Sequence, residues 1–401
     1  LLDCADVRDI NLEDDVVIRG RLVAYTRQAN RLISNMRWEQ DDARPAVGET
    51  PTPTVSEIIA SPGAEAIGRP PPTRISIVDS EGFFLDVPLA QDSDDQTSPF
   101  IYVAAGPISQ TGTWPGADAA HSDDGTTYDS GFLTFLDPNS DATWAECQSV
   151  LTNALPNVID EGSILIVSVY NGELTSVSQE ALDNSDTLNL AITGSNANGW
   201  EFIQFRDADL LSAAGNWKEY AITGIKRGRR GTEQAIGTHV VGDRFLLWEN
   251  VVAKKNLGSS EIGDTDYYKM TSIGFDPANS DAQSVAFAAN SRRPYAPANV
   301  TLHQDGTSLN WEIAWDARSR IGGNNVDGID VPLGETYELY RIKIMDGATV
   351  VNTYDSNVES FTYTAAQQIS DWGSVQSGIT VRVVQVAPDL NLEGFTSEAE
   401  G

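Results

Sequence analysis

Apolar residues in this chain come in short runs, and that limits the folds open to it. "FIYVAAG" (100–106), "GFLTFL" (131–136), "SILIVSVY" (163–170), "TLNLAITG" (187–194), "WEFIQF" (200–205), "KEYAITGI" (218–225) and "RFLLWENVV" (244–252) follow one another, rich in β-branched and aromatic residues. Gly, Asn, Asp and Pro separate them. Strands of this length at fairly even spacing, with turn residues between, are the pattern of an all-β barrel or sandwich. No apolar run approaches the roughly 18 residues that a membrane-spanning helix needs.

The runs fall into units. "DVVIRGRLVAYTR" (15–27) and "NRLISNMRWE" (30–39) predict a β-rich fragment over 1–43. Residues 44–73 are crowded with Pro and Gly. Pro removes backbone donors and favours extended chain, so this stretch reads as a linker. A central β domain, barrel-like or sandwich-like, is expected over 74–292. It includes a hairpin at "YNGEL", where Asn-Gly sits between apolar runs. One helix is expected at "DATWAECQSVLTNAL" (141–155), with Trp144, Val150 and Leu151 on one face and Pro156 as its stop. Residues 293–401 carry about seven strand patterns, the number in a fibronectin type III-like sandwich. There Leu309, Trp311, Ile313 and Trp315 alternate along one strand, and Asp346-Gly347 marks a turn. The chain opens on "LLDCADVRD" without Met, as a portion of a longer protein would.

Charge is one-sided. There are 26 basic residues against 58 acidic ones, a formal net charge of −32. Nucleic acid and anionic membrane surfaces would repel such a chain, so nucleic-acid sequence recognition is not expected. Salt shortens the range of self-repulsion, so this surface suits a protein working in salty water. Lysine is confined to Lys218, Lys226, Lys254, Lys255, Lys269 and Lys343. Against this background, Lys226, Arg227, Arg229 and Arg230 fill four of five consecutive positions in "IKRGRRGTEQAIGTHVVGDRF". The segment lacks the Gly-Lys-Ser/Thr of a phosphate-binding P-loop. Arginine makes planar two-point bonds with carboxylates, which abound here. Lys226, Arg227, Arg229, Arg230, Glu233, His239 and Arg244 are therefore expected to tie acidic strands or neighbouring subunits together, with anion or glycan binding as the alternative.

Other constellations carry less. Asp137, Asn139 and Asp141 place oxygen ligands at alternate positions, like the first half of a calcium loop. Ala142 and Gln148 then stand where Gly and a bidentate Glu belong, so the pattern reads as a turn and no cofactor is expected. "HSDDGTTYD" (121–129) is also oxygen-rich. The histidines His121, His239 and His303 show no metal-pair spacing, and no Gly-x-Ser-x-Gly elbow occurs. The reading is non-enzymatic. Trp114, Trp200, Trp217, Trp248 and Trp372 read as core or interface anchors, with sugar stacking as the alternative. Cys4 and Cys147 cannot build a disulfide framework and read as packed thiols.

Several segments also resemble a known family. "GIKRGRRGTEQAIGTHVVGDRFLLWE" (224–249) is similar to the "RGRRGTE…H..G.RF" signature of phage tail-tip host-specificity proteins, the baseplate megatron proteins of long-tailed bacteriophages and gene transfer agents. "ISIVDSEGFFLDVPL", "TWPGADAAHSDDGTTY", "NANGWEFIQFRDADLL" and "SRRPYAPANVTL" resemble further segments of that family, in its order, from about residue 74 onward. The signature's "LRG" is "IKRG" here, and His121 stands where the family has Tyr-Arg. The resemblance implies a structural protein of the distal tail, at the virion's tail tip or baseplate. It implies a homotrimer about the tail axis that contacts other tail proteins and a host-envelope receptor or glycan. It also implies a glycosidase-like domain upstream of this portion. A glycan-binding or glycan-cleaving tail-spike module, or a secreted adhesin, are the competing readings.

Overall fold

The computed structural model describes residues 5–8, 17–27, 34–40, 76–135, 140–156, 158–323 and 333–401. The chain forms two compact units, residues 1–73 and 74–401. In the first, β1 (Ala5–Arg8), β2 (Val17–Arg27) and β3 (Ser34–Gln40) form an antiparallel meander in that order. The Pro/Gly-rich stretch 44–73 and Cys4 lie outside the described residues.

The second unit is built by insertion. A two-sheet sandwich takes strands from both sides of a central segment. One sheet has β4 (Ser80–Leu85), β5 (Phe100–Pro107) and β15 (Ala253–Asn256), with β5 in the middle. The other runs β17 (Ala282–Ala286), β16 (Thr265–Ser272), β6 (Ala117–Ser122), β7 (Asp129–Phe135). Phe84, Ile101, Val103, Ala119, Tyr268 and Met270 pack between them. Phe84 stacks on Tyr268 with ring centroids 4.8 Å apart.

The inserted segment is a closed six-stranded antiparallel barrel. Its strands are β8 (Trp144–Cys147), β10 (Leu165–Asn171), β11 (Leu190–Ser195), β12 (Gly199–Ala214), β13 (Trp217–Arg229) and β14 (Arg244–Leu247). They run β8-β14-β11-β12-β13-β10, and β10 closes the circle by pairing with β8. The two-residue β9 (Ile159–Asp160) adds to β13, and the short helix α1 (Gln179–Asp183) bridges β10 and β11. Closure removes exposed sheet edges, and a six-stranded barrel is narrow enough for side chains to fill. Cys147, Val167, Ile203, Phe205, Ile222 and Phe245 fill it. The outer wall packs Trp144, Ile192, Phe202 and Leu246 against Phe83, Leu85, Phe100 and Tyr102 of the sandwich. Strand β5 is thus covered on both faces and buried at all eight positions, which is why "FIYVAAGP" shows no alternation.

The last seven strands form a two-sheet sandwich. One sheet is β18 (Ala298–Gln304), β19 (Trp311–Asp316) and β22 (Ser360–Tyr363); the other is β21 (Thr349–Ser356), β20 (Tyr340–Asp346), β23 (Thr380–Ala387) and β24 (Leu392–Glu400). This three-plus-four order is the fibronectin type III-like arrangement expected from the sequence. Helix α2 (Ala365–Trp372) follows β22, with a Thr364/Gln367 capping box. Trp311, Ile313 and Trp315 point into the core at alternate positions. The turn after Asp346 joins β20 to β21 as expected.

Three sequence expectations fail. Residues 141–155 form no helix, because β8 lies between β10 and β14 and its backbone bonds to both. Such ladders override the segment's weak helical spacing. The "YNGEL" hairpin does not form either. Asn171 instead donates through Nδ2 to Asp141 Oδ2 (2.8 Å) and to the Ala142 carbonyl (2.9 Å), which ties the turn to the approach of β8. Leu309 precedes β19 and is 42% exposed, so the buried alternation begins at Trp311.

Phe205 has no exposed surface inside the barrel, whereas Leu210, farther along the same strand, is 55% exposed. Phe205→Ala is expected to lower the unfolding free energy by about 3–5 kcal/mol. Leu210→Ser should change it by no more than about 0.5 kcal/mol. Urea unfolding followed by tryptophan fluorescence measures both.

Candidate functional site

The basic segment starts on β13 and crosses the end of the barrel. Strand β12 runs beside it, in a register that pairs Phe202 with Arg229 and Gln204 with Lys226. Alternation along β13 drives Arg227 inward and leaves Lys226 and Arg229 less buried. Arg227 has no exposed surface. Opposite it, Glu201 is equally buried. A buried charge is tolerated only when paired and fully hydrogen-bonded. Here Arg227 Nε and one terminal nitrogen each donate to a Glu201 carboxylate oxygen at 2.8 Å. The other terminal nitrogen donates to the Thr152 carbonyl at 2.9 Å.

Glu201 is held from two further sides. The Gly228 N–H donates to Oε1 at 2.7 Å, and His239 Nε2 lies 2.6 Å from Oε2. The opposite nitrogen of His239 faces Asp243 Oδ2 at 3.4 Å, while that carboxylate accepts the Val240 N–H. Burial pushes the Glu201 acid upward, but the bonds from His239, Arg227 and Gly228 outweigh it. The net position is below the ordinary glutamate value of 4.5.

Past Arg227 the chain reverses. Gly228, Arg230 and Gly231 all have left-handed backbone, at φ 59°, 56° and 77°. Gly231 is required twice over: a Cβ there would come within 2.3 Å of the Tyr295 ring. Thr232, fully buried, donates to the Arg229 carbonyl at 2.7 Å and accepts the Phe202 N–H at 2.9 Å, locking the reversal onto β12.

The remaining expected residues are placed as follows. Lys226 pairs with Asp183 at 2.8 Å. Arg230 pairs with Asp92 at 2.9 Å and also with Asp186. Glu233 accepts from Arg318 at 2.6 Å, which joins the loop to the chain leaving β19. Arg244 bridges Glu81 (2.9 Å) and Glu146 (3.0 Å) beside the Trp144 ring. Arg229 donates through Nε to Gln204 Oε1 at 2.9 Å. Burial and then Arg230 push its guanidinium below the ordinary arginine range.

Of the acids that pair with this segment, the sequence reading named Glu233 but missed Glu201, Asp92 and Asp186. Glu201 could have been found as a lone carboxylate inside the apolar run "WEFIQF", which needs a cation wherever that strand is covered. Asp92 and Asp186 left no such signal.

Of the oxygen-rich stretches, Asp137 and Asn139 lie outside the described residues, and Asp141 accepts from Asn171. Asp124 accepts the N–H groups of Thr126 and Thr127, as a turn residue does. Among the described residues, His121, Asp123 and Asp266 form a group that could hold a metal ion, with ligand atoms within 4.8 Å of one another. Among the tryptophans, Trp114 is buried, and Trp248 packs edge-on against Tyr102 and Phe202. Cys147 is a free thiol inside the barrel, and burial pushes it up to about 12.

The barrel and the ionic cluster across its end coincide with one recognised sequence unit. Residues 142–246 match the Rcc01698-like, C-terminal family model. No curated protein matches the chain. The Rcc01698-like region starts just before β8 and ends inside β14. It therefore contains Glu201, Arg227, His239 and Asp243, and the match falls on the inserted barrel.

Glu201→Gln would leave Arg227 buried without a counter-charge, and should cost about 3–5 kcal/mol. Because the folded carboxylate sits below 4.5, its contribution is present above that pH and is lost as pH falls through the folded value. Stability of the parent chain should therefore fall faster below pH 4.5 than that of Glu201→Gln. Urea titrations between neutral pH and pH 3 compare the two slopes.

Proposed function

We propose that this chain is a structural component of the distal tail of a long-tailed phage or a gene transfer agent, assembling as a homotrimer around the tail axis. Its partners would be other tail-tip or baseplate proteins and the host envelope. The observation that carries the reading is the order of its parts: sandwich, inserted Rcc01698-like barrel with the arginine signature, then the fibronectin type III-like module. The matched family is of uncertain function, with a suggested link to gene transfer agent proteins.

The geometry of the signature supports scaffolding. His239 is 7% exposed and held between Glu201 and Asp243, and Arg227 is sealed. A general base must reach a substrate proton, and these groups are buried away from solvent. Their arrangement fixes the barrel's end and joins it to its neighbours.

A second reading, recognition of an envelope glycan, has one observation in its favour. A groove of about 750 Å³ between barrel and sandwich is lined by Trp200, Asn196, Gln283, Glu81 and Arg244. An aromatic ring among polar groups is a common way to hold a sugar.

Light scattering on the purified chain should give three times the 43.3 kDa chain mass. Antibody to residues 293–401 should label the distal tail of particles in electron micrographs. A monomer, together with particles that carry no label, would refute the proposal. Retention on a glycan array, lost in Trp200→Ala, would favour the second reading.

A further inference from the structure

Four arginines converge on a small pocket between the arginine loop and the chain on either side of the C-terminal sandwich's first sheet. The pocket encloses about 210 Å³ and is lined by Arg229, Arg230, Tyr295, Arg318 and Arg320, with Asp92 and Glu233. Three of these cations have carboxylate partners: Arg230 on Asp92 and Asp186, Arg318 on Glu233, Arg320 on Asp95 and Glu335. Arg229 has none within ion-pairing distance among the described residues. Its only protein bond there is through Nε to the neutral Gln204 amide, so both terminal nitrogens are left unused. In a chain with 58 acids and 26 bases, a half-buried arginine with no direct ion pair, on which Asp186 and Glu233 act only from beyond contact distance, is anomalous.

Two buried groups beside it are also unsatisfied. Among the described residues, the hydroxyl of Tyr295, which is 7% exposed, has no hydrogen-bond partner, and neither has the Nε of Arg230, which is 8% exposed. The charges that act on the Tyr295 hydroxyl are those of Arg230, Arg318, Glu233 and Asp92, which places it among the pocket's own groups. The acids in the lining do not fill the gap. Asp92 gives one oxygen to Arg230 and the other to the Gly322 N–H (2.8 Å), and Glu233 is taken by Arg318. Buried donors are normally satisfied, and donors unsatisfied together at one small cavity point to a missing acceptor.

We propose that this pocket binds a phosphate group, with Arg229 as its principal contact. A guanidinium presents paired donors that match phosphate oxygens. Donors from the adjacent Arg229 and Arg230 and, from a second chain segment, Tyr295 suit a tetrahedral anion better than a planar carboxylate. The volume admits a phosphate group and excludes a nucleotide or an oligosaccharide. The group could be free phosphate or the terminal phosphoryl of a larger envelope or tail component. The inference does not depend on the tail-tip reading.

The test is calorimetric titration of inorganic phosphate into the whole chain at low ionic strength, with acetate and a phosphomonoester, glycerol 1-phosphate, as parallel arms. Phosphate should bind and raise the melting temperature. Arg229→Gln should weaken binding by about tenfold or more, and Arg229→Lys, which keeps the charge but loses the fork, by less. Tyr295→Phe should weaken phosphate binding without lowering the melting temperature in its absence, since the hydroxyl it removes has no protein partner. The phosphomonoester binding at least as well as phosphate would identify a phosphoryl group on a larger molecule; weaker binding would identify free phosphate. Absence of binding, binding unchanged in a folded Arg229→Gln, or acetate binding as tightly as phosphate would each overturn the assignment.

Discussion

The buried pair between Glu201 and Arg227 is the contact on which the rest of this structure turns. Removing two charges from water costs several kcal/mol for each, and mutual attraction compensates only when every remaining donor and acceptor is also satisfied. That condition dictates the surroundings. It calls for the Gly228 N–H, the Thr152 carbonyl and the His239 ring at fixed positions, and hence for the reversal at 228–232 and the return of the chain toward β14. Strands β12 and β13, the loop and the approach to β14 all meet at one carboxylate. The sequence signature from residue 226 to 246 is what that single requirement looks like when written along a chain.

The same logic extends to the junctions. With so few cations, their placement says where order matters. Arg230 reaches Asp92 before β5, Arg318 reaches Glu233 from the C-terminal sandwich, and Arg320 and Arg292 share Asp95. These pairs are partly or wholly buried, so solvent and salt screen them less than exposed ions. They join barrel, sandwich and terminal module through directional bonds, while the outer surface keeps its negative charge. Modules joined in this way hold a fixed relation when salt screens exposed charges, and exposed faces of one sign repel non-specific contact.

How much of this was legible depended on whether a feature was local. The terminal sandwich was, because Trp311, Ile313 and Trp315 alternate on a half-buried strand and Asp346-Gly347 marks its own turn. The mainly β class was legible for the same reason. Barrel closure was not: the pairing of β10 with β8 and β13 joins residues far apart, and nothing in "SILIVSVY" encodes it. The expected helix at 141–155 and the hairpin at "YNGEL" failed where tertiary ladders and the Asn171 side chain overrode local preference. The arginine loop was visible as a charge anomaly, but its partners were not. Among 58 acids, only the fold selects Glu201, Asp92 and Asp186.

The central claim is that the signature's charge is an internal tie, with Glu201 and Arg227 as its centre. A double-mutant cycle of Glu201→Gln, Arg227→Met and the pair, read by urea unfolding at neutral pH, measures it directly. The account predicts a coupling of about 2–3 kcal/mol, with the double variant more stable than the two single losses sum to. A coupling below about 0.5 kcal/mol, as exposed or independent residues give, would contradict it.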